Sequence, residues 1–462
     1  MKPITAFLGF VLSLSMLQGC AHVSGHHTPD RNIQLESFDY AWSRIGETYY
    51  DPEMNGLDWQ ATRDELRPRA AAAATNDELA EIIEEMMERI GESHFQIIPL
   101  FVYDPPPKPE AFSEDNPTTE GADLPPPTPH LDFRGSLGIK IRLIGKEVVI
   151  QEIQADSHAF EKGIRVGWRI TSVDDIEILE LLDKLEETLD GPRDLEFYGS
   201  RQIQGLLEPE QDAPVALGLI DHHGTLNLIS VHPKALEGNL QPNAMLPQSL
   251  TRFEARILDN TTIGYIRFNE WAPPIVERFT EAIRHFKEGG VRDGVIVDLR
   301  GNPGGVAAMS MGVASHFVEK KGESLGLMKD RNTTLNLRIF PRPRSQRWSG
   351  PVVLLIDGLS ASTSEIFAAG MQDIDEATVI GSTTAGKALA SIVEPLPNGD
   401  RIQFVIWNLT RTNGQRVEGD GVRPDIEVRP TPEDFLAGVD PVLNTAIQHL
   451  QTTDSHATPP AP

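Results

Sequence analysis

Three serines, Ser360, Ser362 and Ser364, lie at alternating positions in the segment LIDGLSASTSEIFAAG at 355–370. An apolar, strand-like run precedes them and a helix-like run follows, so a serine there has a rigid support and the amides of a helix start beside it. Serine is a weak nucleophile until a base accepts its proton, and acyl transfer also needs donors for the oxyanion. Turns and caps use the same residue types, so this segment alone leaves open which serine reacts.

A second segment could supply the oxyanion donors. DLRGNPGG at 298–305 ends an apolar run in a turn, where Gly304 and Gly305 could expose backbone N–H groups. By itself each segment is more often an ordinary turn. Together they indicate acyl-transfer chemistry more specifically.

The elements around these loops have the pattern of an α/β core at 250–430. The runs at 294–299 and 351–357 are almost continuously apolar, which is typical of buried parallel strands. Apolar residues recur at helical spacing over 274–286. The sequence therefore predicts alternating strands and helices that carry the two loops.

The start of the chain resembles a bacterial lipoprotein signal. Lys2 gives a basic start, residues 6–17 are mostly apolar but short for a bilayer span, and LQGC follows at 17–20. Cys20 is the single cysteine of the sequence, so no intramolecular disulfide can form. We expect a signal peptide at 1–19 and lipidation of Cys20.

The residue after the cysteine and the overall charge bear on location and partners. Ala21, in place of an aspartate, favours the outer membrane, facing the periplasm, over inner-membrane retention. The net charge is 41 − 68 = −27, which disfavours nucleic acid as a partner because its phosphates would be repelled. The sequence carries no signal for an oligomeric state.

Changes in composition divide the rest of the chain. Thr75 and Glu78 have capping-box spacing ahead of a helical apolar pattern, whereas a later stretch is rich in proline and acidic residues. The predicted parts are a tether at 20–35, an N-terminal helical domain at 36–102, a proline-rich linker at 103–130, a PDZ-like domain at 131–235, the α/β core at 250–430, and a C-terminal helix with a disordered tail at 431–462.

The PDZ-like domain is predicted from a resemblance. SLGIKI at 136–141 and HAFEKGIRVGWRITSVDD at 158–175 resemble segments of a PDZ domain. The resemblance implies that the amides around Leu137, Gly138 and Ile139 receive a peptide carboxylate and that a strand edge pairs with the peptide. The stretch at 197–213 fits that pattern less well.

Four motifs in order, DLRGNPGG, SASTSEIFAAG, GSTTAGK and VEGDGVRPDI, resemble the S41 family of serine proteases. That family contains the C-terminal (tail-specific) processing proteases and the tricorn-type enzymes. The resemblance covers about 36–428. It implies a fold of the α/β class, a crotonase-like (ClpP-type) core with an N-terminal helical domain and an inserted β-rich PDZ-like domain.

The same resemblance assigns roles to the two loops. By position in its motif, Ser362 is the nucleophile, and the serines on either side of it are structural or capping residues. The oxyanion is held by the amide of Thr363 and by an amide of Gly304 or Gly305.

The family offers two solutions for the base. In the tail-specific branch it is a lysine, and Lys387 stands 387 − 362 = 25 residues after the serine, as that branch requires. Ala388 replaces the glycine that follows the lysine, and Ser391 stands where a lysine-orienting glutamine belongs.

In the tricorn-type branch a Ser-His pair after the N-terminal helical domain supplies the base, and a late glutamate completes the set. Ser93 and His94 follow the capped helix, and Glu418 matches the glutamate. We favour His94 as the base, with Lys387 as the alternative.

The implied function is a serine endopeptidase of the cell envelope that needs no metal or cofactor. Its substrates would be proteins or peptides, captured by their C-termini through the PDZ-like domain. The alternative is a catalytically inactive S41-like lipoprotein that binds peptides or apolar ligands. A CoA-dependent crotonase-type enzyme would share the core but has no reason to carry a PDZ module or a lipobox.

Overall fold

The computed structural model describes residues 31–99, 135–209, 211–235, 240–241 and 249–453. The predicted signal peptide, the lipidation site at Cys20 and the proline-rich linker lie outside the described residues. Among the helices that the structure describes, none is both long and apolar enough to cross a lipid bilayer.

Three helices and a short strand form the N-terminal region. They are α1 (Arg31–Thr48), α2 (Trp59–Ala72), α3 (Asn76–Glu88) and β1 (Gln96–Ile98). The predicted helix start at Thr75 is confirmed, because its hydroxyl accepts from the amide of Glu78 at 3.1 Å. The predicted tether at 20–35 is too long, since α1 already begins at Arg31.

A β-rich domain at 135–235 follows in the chain. Its strands are β2 (Gly135–Ser136), β3 (Ile139–Ile144), β4 (Glu147–Ile153), β5 (Arg169–Val173), β6 (Ile176–Glu177), β7 (Val215–Ile220), β8 (Leu226–Val231) and β9 (Lys234–Ala235), and its helices are α4 (His158–Glu161), α5 (Ile178–Glu186), α6 (Pro192–Asp194) and α7 (Ser200–Leu206). The main sheet has the order β3-β4-β5-β7-β8, its neighbours are antiparallel, and β3 lies at one edge. A π-helical turn at Leu195–Gly199 joins α6 to α7. We call residues 192–206 the helical segment.

The remainder of the chain contributes to two large sheets with their helices and to one short strand pair. In chain order the elements are β10 (Leu240–Gln241), β11 (Ser249–Leu250), β12 (Phe253–Ile257), β13 (Ile263–Phe268), α8 (Ile275–Glu288), β14 (Gly294–Asp298), α9 (Ala308–Ala314), β15 (Ser324–Lys329), β16 (Thr334–Arg338), β17 (Val352–Ile356), α10 (Thr363–Asp373), β18 (Thr378–Gly381), β19 (Ala390–Pro395), β20 (Arg401–Thr410), β21 (Ile426–Glu427), α11 (Pro432–Leu436) and α12 (Pro441–Thr453). β10 and β11 pair only with each other.

The core sheet has the order β12-β13-β14-β17-β18-β21, and all neighbours except β12 and β13 are parallel. Every residue of β14 and β17 is buried, which confirms the predicted buried parallel strands. Phe279 of α8 and Phe367 of α10 pack on one face, and Ala446 and Leu450 of α12 pack on the other. Parallel strands end at the same edge of a sheet, so the loops after β14 and β17 meet there.

A second, antiparallel sheet has the order β1-β20-β15-β16, with β19 also paired to β20. The N-terminal helices share one apolar core with this sheet, in which Phe38 and Ile83 pack with Leu389 and Phe404. The N-terminal region is therefore not an independent unit. β1 and β19 flank β20 in the same direction, which brings the residues that precede each of them to the same end of β20.

Candidate active site

Ser362 begins α10, in the loop that follows β17. Its φ of 54° and ψ of −117° lie where residues other than glycine are rare, and such strain persists only where surrounding contacts fix it. The Ser362 amide donates to the carbonyl of Lys387 at 2.8 Å and to Oε2 of Glu365 at 3.0 Å. A Cβ atom at Gly304 would lie 2.6 Å from the Ser362 Cβ, so only a glycine fits opposite the serine.

The two neighbouring serines have structural roles. Ser360 and Ser364 are fully buried, whereas Ser362 is partly exposed. The Ser360 hydroxyl donates to the carbonyl of Leu299 at 2.8 Å. The Ser364 hydroxyl donates to the carbonyl of Asn302 at 3.0 Å and accepts from the Trp271 indole at 2.9 Å. Both serines join the loop after β17 to the loop after β14.

The backbone amides beside Ser362 differ in their partners. The amide of Gly304 donates to Oδ1 of Asn302 at 3.0 Å and is therefore already used. For the amides of Gly305 and Thr363 the structure gives no acceptor within the described residues. Those two amides are consequently the ones that remain available as donors next to the serine.

Ser93, His94 and Glu418 lie together although 325 positions separate the first from the last along the chain. The Ser93 hydroxyl and His94 Nδ1 are 2.7 Å apart. The Ser93 amide donates to Oε1 of Glu418 at 3.2 Å, and the Ser93 side chain also hydrogen-bonds this carboxylate. His94, at a φ of 65°, is a second strained residue of the site.

A loop at 384–388 connects this trio to Ser362. The carbonyl of Lys387 accepts from the Ser362 amide, and the next amide, that of Ala388, donates to Oε2 of Glu418 at 2.6 Å. Glu418 in turn contacts Ser93, the neighbour of His94. A series of hydrogen bonds thus links Ser362, through the backbone at 387–388, to Glu418, Ser93 and His94.

The protonation of this trio follows from its burial. Burial, with smaller contributions from the positive charges of Lys387 and Arg201, lowers the pKa of His94 to about 4. Burial also raises the pKa of Glu418, against the opposing effect of the Ser93 and Ala388 hydrogen bonds. At neutral pH the imidazole is therefore uncharged and able to accept a proton.

Lys387 has a different environment. Its Nζ atom lies 3.0 Å from Oδ1 of Asp194 and 5.4 Å from the centre of the Tyr198 ring. Burial lowers the pKa of Lys387, but Tyr198 and Asp194 outweigh it, and the net shift is upward. Ser391, which stands where a lysine-orienting residue was expected, accepts a hydrogen bond from Gln403 at 2.7 Å instead.

Glu365 is a site residue that the sequence reasoning missed. It is fully buried, and its two carboxylate oxygens accept from the Thr384 hydroxyl at 2.5 Å and from the amides of Gly386, Lys387 and Ser362 at 2.8–3.0 Å. Burial raises the pKa of Glu365 to about 7. The capping-box spacing from Ser362 to Glu365 was the available signal, because an N3 glutamate reaches back to the N-cap amide.

The predicted carboxylate loop of the β-rich domain is occupied by the chain itself. The amide of Leu137 donates to the carbonyl of Leu207 at 3.0 Å, and the amide of Gly138 donates to the Ser136 hydroxyl at 3.1 Å. The side chain of Gln204 in α7 donates to the carbonyl of Ile139 at 3.1 Å. These are backbone groups that an added peptide strand would use.

The helical segment also fills the space between β3 and α5. A Cβ atom at Gly199 would lie 3.0 Å from the Leu182 side chain of α5 and 3.3 Å from the Leu143 side chain of β3. Sequence reasoning noted that this stretch departs from the PDZ pattern but did not predict its position. The local sequence has no signal for a contact that tertiary packing decides.

The opposite side of the helical segment contacts the catalytic loops. Phe197 packs against Ala361 and Ala385, which lie in the loops on either side of the serine. The Arg193 guanidinium donates to the carbonyl of Asp420 at 2.7 Å, and Asp194 forms the ion pair with Lys387 described above. The β-rich domain is thereby attached to the candidate site.

The chain matches two family models. Residues 262–428 match peptidase family S41, and residues 34–88 match the tricorn protease C1 domain. The first range contains the Ser362 and Glu418 loops, and the second covers the helices before His94. The protein is thus a serine-type peptidase with an S41 peptidase domain, as the motifs predicted.

Individual relatives agree with this class. The carboxyl-terminal-processing protease of Synechocystis sp. is 23% identical over 424 residues, which cover 90% of this chain and 86% of that protein. The putative tricorn protease homolog 2 of Streptomyces coelicolor is 24% identical over 442 residues, 92% of this chain but only 33% of that protein. This chain therefore spans about a third of the length of the second relative.

A solved structure shows the shared fold. The photosystem II D1 C-terminal processing protease superposes with a TM-score of 0.55 at 19% identity, over 87% of this chain and 94% of that one. The predicted α/β fold with N-terminal helices is confirmed. That the β-rich domain is a PDZ domain stays a prediction.

Proposed function

We propose that the protein hydrolyses peptide bonds with Ser362 as nucleophile and His94 as general base. The observation that carries the proposal is the Ser93–His94 contact of 2.7 Å, backed by the buried Glu418. If the Ser93 hydroxyl donates its proton to Glu418, it accepts a hydrogen bond from the Nδ1–H of His94. In that tautomer of the imidazole, Nε2 carries no proton. That nitrogen is the proton acceptor that a serine nucleophile requires.

The steps follow from this arrangement. Ser362 Oγ attacks the scissile carbonyl carbon while His94 Nε2 takes the hydroxyl proton. The oxyanion lies against the amides of Gly305 and Thr363, and its collapse breaks the C–N bond as His94 returns the proton to the leaving amine. Water, deprotonated by the same imidazole, then releases the acyl group and restores Ser362.

Lys387 is the weaker candidate for the base. A lysine acts as a base only when its surroundings depress its pKa towards neutrality. The ion pair with Asp194 and the nearby Tyr198 act in the opposite direction and favour the charged form. We assign this lysine to the attachment of the helical segment instead.

Hydrolysis of unstructured protein or peptide substrates by single-residue variants tests the assignment. Ser362→Ala should abolish turnover in a folded protein, and His94→Ala should lower kcat by orders of magnitude, because base and nucleophile act as one unit. Lys387→Ala should keep most of the activity. If Lys387→Ala is inactive while His94→Ala keeps wild-type turnover, the lysine is the base.

The pH dependence of kcat/KM gives an independent criterion. With His94 as base, the activity should rise with pH through about 4, since burial holds the imidazole pKa well below its usual value near 6.5. With Lys387 as base the rise should come in the alkaline range, because its pKa is raised from an already high value. A rise in the alkaline range in the wild type, absent in Lys387→Ala, would contradict the histidine mechanism.

We further propose that the enzyme acts in the cell envelope, attached through a lipid on Cys20. The LQGC segment and the single cysteine support this location. Cys20→Ala should release the protein from membranes and prevent labelling by a fatty-acid probe. Unchanged membrane association and labelling in that variant would overturn the lipid anchor while leaving the peptidase assignment intact.

Capture of substrate C-termini by the β-rich domain stays a prediction. In the described conformation, α7 occupies the backbone groups of β3 and the amide of Leu137 is bonded to Leu207. Capture at that loop therefore requires the helical segment to withdraw. Calorimetry with peptides as free acids and as amides tests it, and equal affinities would exclude a carboxylate-receiving role for Leu137, Gly138 and Ile139.

A further inference from the structure

The helical segment carries an arginine whose surroundings differ from those of other buried cations in the site. Arg201 in α7 lies with its guanidinium carbon 5.5 Å from the centre of the Phe197 ring. Phe197 packs on Ala361, the residue before Ser362, and on Ala385. Arg201 is thereby connected, through Phe197, to the residue that precedes the nucleophile.

The guanidinium has no anionic partner among the residues that the structure describes. Its Nε atom is buried and lacks a hydrogen-bond acceptor there, while the side chain as a whole keeps part of its surface exposed. By contrast, Lys387 is paired with Asp194 and Arg142 with Asp357. Asp and Glu outnumber Lys and Arg by 68 to 41 in this chain, so an unpaired guanidinium at a crowded site is unexpected on composition alone.

Burial without an anionic partner is unfavourable for a cation, and it shifts pKa values at this place. Burial lowers the pKa of Arg201, and the positive charge of Arg201 contributes to the lowered pKa of His94. A carboxylate bound by Arg201 would relieve both effects. Arginine presents a planar, rigid set of donors that matches a carboxylate in two parallel hydrogen bonds.

We propose that Arg201 binds a carboxylate of the substrate beside the scissile bond and so determines specificity. This inference rests on the proposed peptidase function. The carboxylate has two sources in a peptide: the free C-terminus, or an aspartate or glutamate side chain near the cleaved bond. Recognition by Arg201 differs from capture at the Leu137 loop, since it needs no movement of α7.

Matched short peptides distinguish the two sources. One pair is a peptide that ends shortly after the cleaved bond, as the free acid and as the C-terminal amide. A second pair is longer, with a glutamate or a glutamine after the cleaved bond. We expect the full-length wild-type protein to prefer the carboxylate member of at least one pair by about 10- to 100-fold in kcat/KM, the size expected for a hydrogen bond to a charged group.

Arg201→Gln should abolish that preference, mainly through KM, and leave the cleavage of the uncharged member within a few-fold of wild type. Arg201→Lys should restore part of the preference, which a merely structural role would not explain. Arg165→Gln is the matched control, because Arg165 is an exposed arginine of the same domain that also lies over a phenylalanine, Phe160, at 4.4 Å. The control should keep the wild-type preference.

The outcomes separate this inference from the function it rests on. If the wild type prefers a carboxylate and Arg201→Gln keeps that preference in full, Arg201 does not bind it. Equal cleavage of both members of both pairs by the wild type also overturns the inference, but not the peptidase function. If the wild type cleaves none of the peptides or an unfolded protein substrate, while Ser362→Ala behaves identically, the proposed function itself fails.

Discussion

The two halves of the candidate site are built in different ways. The nucleophile half, with Ser362, Thr363, Gly304 and Gly305, lies on two loops at the ends of neighbouring parallel strands. The base half joins the segment before β1 to the segment after β20, so its residues lie in loops that flank strands of the antiparallel sheet. The first half depends on steric fit between adjacent loops. The second depends on a few polar contacts between distant parts of the chain.

Two buried carboxylates connect the halves. Glu365 holds the Ser362 amide and the Lys387 amide on one oxygen, and Glu418 holds the Ala388 amide and the Ser93 amide on its two oxygens. Hydrogen bonds from backbone amides to an ionised carboxylate are stronger than hydrogen bonds between neutral groups. The loop at 384–388 therefore transmits the position of each half to the other.

The largest effect should come from steric disruption of the nucleophile half. Gly304→Ala places a methyl group 2.6 Å from the Ser362 Cβ at a φ of 107°, so the serine and the adjacent amides must move. We expect kcat to fall by about 10²–10³-fold, as for the loss of an oxyanion donor. Steady-state kinetics on a peptide substrate measures this change.

Gly414→Ala is its control. Gly414 also has a positive φ, of 88°, but a Cβ atom there would meet nothing within 4 Å. The control should cost about 1–2 kcal/mol in free energy of unfolding, because alanine must adopt a left-handed conformation there, and leave kcat near wild type. Equal loss of kcat in both variants would show that backbone strain, rather than contact with Ser362, accounts for the result.

A smaller effect is expected when the base half loses a charge but keeps its shape. Glu418→Gln should lower kcat about 10- to 100-fold with little change in KM, because Glu418 orients Ser93 and does not contact substrate. Glu427→Gln removes an exposed carboxylate from the same region and should change neither constant. A Glu418→Gln enzyme with wild-type kcat and a raised KM would assign Glu418 to substrate binding instead.

The nucleophile half was largely predictable from sequence because its determinants are local. The apolar runs of β14 and β17, the glycines after the first and the serines after the second occur within a short stretch and in the order of the fold. The base half was predictable only as a match of motifs. Strand pairing, not local preference, brings β1 beside β20 and hence His94 beside the loop at 384–388.

The position of the helical segment could not be predicted in this way. Residues 192–206 form short helices whose sequence gives no information on the surface that they contact. The contacts of Phe197 with Ala361 and Ala385, and the ion pair of Asp194 with Lys387, join elements from different domains. Lys387 has the spacing from Ser362 that the tail-specific branch requires of its base, but in the fold it is the ion-pair partner of Asp194.

The smallest expected effect is on the pH dependence of the free energy of unfolding. It also compares the two halves most directly. Burial raises the pKa of Glu365 to about 7, so its contribution to stability is full below about pH 4.5, its ordinary pKa, and is lost as the pH rises to about 7. Burial lowers the pKa of His94 to about 4, so its contribution is present above about pH 6.5 and is lost as the pH falls to about 4. Glu365 and His94, one residue from each half, thus respond to pH with opposite signs over the same window.

Urea unfolding of three proteins across about pH 4.5–6.5 measures this opposition. Glu365→Gln should remove a contribution to the free energy of unfolding that decreases as the pH rises. His94→Gln should remove a contribution that increases as the pH rises. Each difference should amount to about 1–3 kcal/mol across the window, since one pKa unit corresponds to about 1.4 kcal/mol. Other buried groups such as His316 titrate equally in all three proteins and cancel in the differences. Differences of the same sign for both variants would show that the opposite effects of burial on Glu365 and His94 do not govern their contributions to stability.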